Sequence, residues 1–141
     1  MLKNKTITFK EAEDYHTGLI LLTNAIESSQ EGVGLDLIYL LNKAIKNMES
    51  DSQSMVDAKK QMLEVYGTLE ENGTLTLSET SEDVVASVNK DLNDFYDKSD
   101  EFSVIKDKIN IKDIKHLRLK PSFLVLFDKY LEGLEEYEWY K

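Results

Sequence analysis

The chain has no cysteine, one proline, one tryptophan and two histidines. Without cysteine there is no disulfide, no thiol nucleophile and no cysteine-ligated zinc. The histidines, His16 and His116, fall in neither of the two-histidine spacings that hold a metal, and no HExxH or GxSxG pattern occurs. None of the six glycines belongs to GxxxxGK[ST] or GxGxxG, and Gly32-Val33-Gly34 alone is a weak phosphate signal. No apolar run approaches the roughly 20 residues that span a bilayer, and no apolar signal region follows Met1–Lys5. Basic residues are short as well, 17 against 27 acidic, for a net charge of −10. That balance opposes general nucleic-acid binding, in which Lys and Arg must neutralise phosphates. The expectation is a protein with no cofactor, no metal, no catalytic residue, no membrane partner and no direct nucleic-acid partner.

What is present suits one domain over 1–141, with 41% hydrophobic residues to build a modest core. The charge is segregated. Residues 67–102 carry a net −8, and residues 103–121 reverse to +4. Two explanations stand for the reversal: the acidic and basic segments pack side by side, or the basic strip faces an acidic partner.

Local signals give a mainly α, α+β fold: a helical framework with a long central helix and a small antiparallel β-hairpin or sheet. Asn4–Thr8 reads as a short strand or extended lead-in. Thr8 and Glu11 then fit a capping box, and Tyr15, Leu19, Leu22 and Ile26 share one face of a helix over about 9–27. The glycine-bearing stretch 28–34 is a turn. From Leu35 to Tyr66 there is neither Gly nor Pro, which allows a helix of about 32 residues and roughly 48 Å. Its seam, Ile38, Leu41, Ile45, Met48, Ser52, Met55, Lys59, Met62 and Tyr66, holds heptad spacing. The weak helix formers of Glu49–Ser54 leave two alternatives, one continuous helix or two shorter ones divided by a break or bend there. The seam either packs on the chain's own first or last helix or forms a homo-oligomeric or partner-facing coiled coil. Gly67 stands where a left-handed cap residue belongs.

Residues 67–78 read as a hairpin insertion, in which 68–71 and 74–77 flank Asn72-Gly73, a pair suited to a type I′ turn. Two strands alone are barely stable, so 102–106 is the expected third strand. Thr80 or Ser81 caps a helix over about 82–98 with Val85, Val88, Leu92, Phe95 and Tyr96 inward. Ile109 and Ile111 continue an extended segment, and 111–117 fits one helical turn. Pro121 opens a last helix that turns Phe123, Leu124, Phe127, Tyr130, Leu131 and Leu134 inward.

Three surfaces are candidates for function. The acidic aromatic tail, 134–141, ends in Tyr137, Trp139 and Tyr140 beside glutamates; these rings either tuck onto the domain or anchor a partner. Asp91, Asp94 and Asp97 lie on the acidic helix, where they form either a solvated face or a mimic of nucleic-acid phosphates. The near match of DLNDFYD to a calcium loop lacks its glycine and reads as plain helix. Each histidine reads as a solvated surface residue.

The order of MLKNKTI, a helix ending in LEVYG, EENGTLTL, DLNDFYD and IKDIKHLRLKPSFLVLFDKYLE resembles a family of small uncharacterised proteins of phages and prophages of Gram-positive bacteria. The tail EYEWYK has no counterpart in that pattern. The resemblance implies a phage origin and no established activity, and it transfers no functional residues. Together these readings predict a non-enzymatic phage or prophage protein acting by protein–protein binding. It would serve as an assembly or virion accessory factor or as an inhibitor of a host defence protein, in the bacterial cytoplasm or the virion. Its partner would be a phage or host protein, with a homo-oligomer possible. The alternative is an acidic nucleic-acid mimic that blocks a nucleic-acid-binding protein.

Overall fold

A computed structural model describes residues 1–136. Tyr137, Trp139 and Tyr140 lie outside the described residues. The fold is α+β: five α-helices with small two-stranded sheets.

The N-terminal half follows its local signals closely. Strand β1 (Leu2–Thr8) leads directly into α1 (Phe9–Glu27). The junction is the expected capping box. Thr8 Oγ1 accepts from the Glu11 N–H at 3.1 Å, and Glu11 Oε1 accepts from the Thr8 N–H at 3.2 Å. Two of the helix's four orphan donors are thereby satisfied. Tyr15, Leu19 and Leu22 are buried as their spacing requires.

The long helix is interrupted. It divides at Ser52 into α2 (Leu35–Asp51) and α3 (Gln53–Glu64). Hydrogen bonds from Ser52 N to Met48 O and from Val56 N to Ser52 O, both 2.9 Å, carry the ladder across the join. Ser52 is only 3% exposed and Leu41, Met48 and Met55 are buried, so the seam faces the chain's own core. α2 packs on α1 and on β4 (Ser99–Ile105). Ile38, the first residue of the seam, is the exception at 36% exposed.

Gly67 is no left-handed cap. It opens β2 (Gly67–Leu69), which pairs with β3 (Leu75–Leu77) and rests on α3. The turn also differs from the type I′ expected. Asn72 has negative φ, and only Gly73 is positive, at +88°. The Gly73 N–H donates to Glu70 O at 3.0 Å, and the Glu70 N–H donates to Thr74 O at 2.8 Å. This leaves a three-residue loop closed by a left-handed glycine. Asn72 Oδ1 also accepts from the Thr74 N–H at 3.0 Å, so the asparagine acts through its side chain and needs no positive φ.

The third strand pairs elsewhere. β4 lies antiparallel to β1, from Leu2 opposite Ile105 to Thr8 opposite Ser99. Both are seven residues long, whereas each hairpin strand has three. A seven-residue strand forms more ladder bonds against β1 than against the hairpin, and this decides the pairing. Bonds from Phe9 N to Lys98 O and from Lys106 N to Met1 O extend the ladder at both ends.

Ser81 caps α4 (Glu82–Tyr96). Val88 and Phe95 are buried, but Val85 is 42% exposed, contrary to its place in the expected stripe. The helix begins beyond the main core, against which only its C-terminal rings, Phe95 and Tyr96, pack. β5 (Ile109–Asn110) pairs in parallel with β6 (Leu131–Glu132). Between them, Pro121 occupies the first turn of α5 (Pro121–Phe127), whose Phe123, Leu124 and Phe127 are buried.

Candidate functional site

Two surfaces separate at the two ends of α1. The first is the acidic block of the hairpin and α4. Asp91 is half-buried and accepts a hydrogen bond from the Tyr66 hydroxyl, tying α4 to the end of α3. That bond to a carboxylate holds the Tyr66 phenol above its ordinary pKa. Asp91 is thus occupied within the fold. Asp94 and Asp97 are exposed. Asp97 caps the C-terminus of α4, where the helix dipole disfavours negative charge. Glu82 and Asp83 sit in the first turn, where the dipole favours them.

Behind this block, Lys59 of α3 donates to Glu13 of α1 at 3.3 Å and to the Tyr96 hydroxyl of α4 at 2.5 Å. Burial works against the lysine's charge, yet its bond to Tyr96 and the Glu13 carboxylate outweigh burial and hold its pKa above the ordinary value. The polar interruption of the heptad seam at Lys59 therefore ties three helices together.

The second surface is a groove of about 820 Å³ at the C-terminal end of α1. Ile114 and Leu117 are buried and anchor the basic strip to the core, leaving His116, Arg118 and Lys120 at the surface. Leu21, Ala25, Leu119 and Phe123 supply the groove's apolar lining, and Asn24, Ser28, Ser29 and Ser122 its neutral polar groups. The imidazole Nε2 of His116 lies 2.7 Å from the Gly32 carbonyl oxygen. A carbonyl only accepts, so Nε2 carries the proton and the ring pins the 28–34 loop.

Four ion pairs join described residues, Lys10–Asp14, Lys59–Glu13, Lys60–Glu64 and Lys129–Glu11, and none of these four links α4 to 103–121. α4 packs instead on α1 and α3.

His116 is exposed, as expected. His16 differs from the solvated reading: it is half-buried, and its Nε2 is enclosed without a hydrogen-bond partner among the described residues, as is Thr23 Oγ1. No group of three or more His, Asp or Glu side chains able to hold a metal occurs among the described residues, and no described helix is long and apolar enough to cross a membrane.

Sequence reasoning singled out the basic strip but missed the other wall of the groove. Asn24, Ser28 and Ser29 are about 90 positions away from Arg118 and carry no motif. The charge reversal at 103–121 was the one signal available. No family model, curated protein or solved structure matches the chain.

Proposed function

We propose that this is a non-enzymatic phage or prophage protein that acts by protein–protein binding. It would be an assembly or virion accessory factor or an inhibitor of a host protein, and its docking surface would be the acidic block of the hairpin and α4. One observation carries the choice of surface. Most of the long-helix seam is buried in the chain's own core, whereas α4 presents exposed Glu82, Asp83, Asp94 and Asp97 together with an exposed Val85. Exposed carboxylates along the helix, with an apolar side chain in its first turns, suit a partner surface that is basic with some apolar character. The resemblance noted in the sequence supplies the phage context, in the bacterial cytoplasm or the virion.

The test is capture from infected and uninfected cells by the wild-type chain and by a variant carrying Glu82→Gln, Asp83→Asn, Asp94→Asn and Asp97→Asn. A partner held by the wild type and lost by the variant supports the reading; equal capture by both overturns it. If the captured protein binds nucleic acid and its capture weakens steeply with salt, the acidic-mimic form of the same surface is selected. Trp139→Ala, assayed in parallel, reports on the tail as an anchor.

A further inference from the structure

We propose that the groove at the C-terminal end of α1 binds a small amphiphilic anion, a molecule with one or two carboxylate or phosphate charges on an apolar or aromatic body. The site lies at the opposite end of α1 from the acidic block and is independent of the docking reading above.

The groove's volume, about 820 Å³, falls within the range of small-molecule sites, about 300–1,000 Å³, whose linings combine apolar and polar groups, and here the polar groups outnumber the apolar ones. Leu21, Ala25, Leu119 and Phe123 supply the apolar part, and Asn24 and Ser28 some of the polar part. Arg118 and Lys120 add charge. In a chain with ten more acidic than basic residues, neither side chain forms an ion pair or hydrogen bond with any described residue. Among the described residues Glu31 is the one acid lining the groove, so their lining carries a small positive excess. Arginine's planar fork suits a carboxylate or phosphate, which it can grip with two parallel hydrogen bonds.

The walls are formed in advance. Buried Ile114 and Leu117 fix one side, and the His116–Gly32 bond and the Glu31 N–H to Ser29 Oγ bond, 3.2 Å, hold the loop opposite. Little ordering entropy is then lost on binding. The charge of the whole chain limits the ligand's size. A polyanion meets the field of −10, whereas a mono- or dianion meets chiefly the two local cations, since distant charges are screened beyond about 8–10 Å.

The experiment is a fluorescence titration of the full chain with 1-anilinonaphthalene-8-sulfonate, a probe with one negative charge on an aromatic body. N-phenyl-1-naphthylamine serves as its uncharged counterpart. The expected result is that Arg118→Ala with Lys120→Ala weakens the anionic probe at least tenfold and leaves the neutral probe unchanged. Lys43→Ala with Lys46→Ala, on the exposed face of α2, should alter neither. Amide shift changes on binding should fall in 21–31 and 116–123, and thermal unfolding confirms that each variant is folded. Displacement by 1-naphthoate or by 1-naphthyl phosphate identifies which headgroup the site prefers. Equal affinity of the anionic probe for wild type and double variant, shift changes centred elsewhere, or displacement by neither competitor overturns the proposal. Should the double variant fail to fold, the single Lys120→Gln variant repeats the comparison, with a threefold weakening expected and no change overturning it.

Discussion

Gly18 of α1 lies directly against the ring of Phe127 in α5: a Cβ built on the glycine would stand 2.7 Å from Phe127 Cδ1 and 3.2 Å from its Cβ. The two helices approach this closely because position 18 has no side chain. Phe127 is fully buried, within ring distance of Tyr15, Phe123 and Tyr130.

Gly18→Ala should therefore destabilise the protein. Helix propensity favours alanine by about 1 kcal/mol, but the added methyl must displace a ring held near its backbone, and overpacking costs about 1–3 kcal/mol. A net loss of up to about 2 kcal/mol is expected, read from urea unfolding. A more stable variant would show that α5 shifts freely.

Tyr15→Phe tests a bond across the core. The Tyr15 hydroxyl oxygen accepts from the Ile105 N–H at 3.1 Å, and the site is buried. Burial raises the phenol's pKa well above its ordinary value, so it stays neutral throughout the working range. Removing the oxygen leaves a buried donor unpaired, at a cost of about 1–3 kcal/mol. The Ile105 amide should lose hydrogen-exchange protection in the variant.

Acid should weaken the start of α1. Hydrogen bonds from Lys129 and from the Thr8 backbone hold the Glu11 carboxyl below its ordinary pKa of 4.5. A depressed folded pKa contributes stability above the unfolded pKa, and this is lost as pH falls through the folded one. Both side chains of the pair are substantially exposed, so the effect should stay below about 1 kcal/mol. Glu11→Gln keeps the capping geometry and removes the charge. Its deficit relative to wild type, measured by urea unfolding at pH 6, should shrink progressively as the pH falls below 4.5. A deficit independent of pH would remove the electrostatic account.

Gly67→Ala should dismantle the hairpin. A Cβ at this position would meet the Thr76 carbonyl oxygen at 2.1 Å, and backbone cannot yield as a side chain can. The hairpin leucines Leu69, Leu75 and Leu77 are half-buried and stand outside the main core cluster. Amide protection should therefore fall across 67–77 while the β1–β4 ladder keeps its own. Simultaneous loss in both would show the hairpin to be integral to the core.

Elements governed by neighbours a few positions away were legible. Thr8 and Glu11 announced α1, the pair Thr80 and Ser81 and then Pro121 announced two more helix starts, and the weak formers around Ser52 marked the place of the break without deciding that it occurs. The buried faces largely followed from the 3.6-residue period, with exceptions at Ile38 near the start of α2 and at Val85, where α4 runs past the core. The groove was legible on one wall only: the charge reversal marked Arg118 and Lys120, but nothing in the sequence marks Ser28 or Asn24 as their neighbours. Of the residues singled out for binding, Asp91 proved to be engaged by Tyr66, a contact 25 positions distant that no local pattern encodes.

The sequence by itself determined where helices start, which of their faces are apolar and where charge concentrates, because capping and amphipathic periodicity act within a turn or two of the chain. Tertiary structure alone decided that β4 pairs with β1 and leaves the hairpin two-stranded, that β5 and β6 run parallel, and that the basic strip meets the end of α1 to enclose a groove. Those outcomes depend on which distant segments can satisfy each other's backbone groups and bury each other's apolar faces, a competition among the parts of the folded chain.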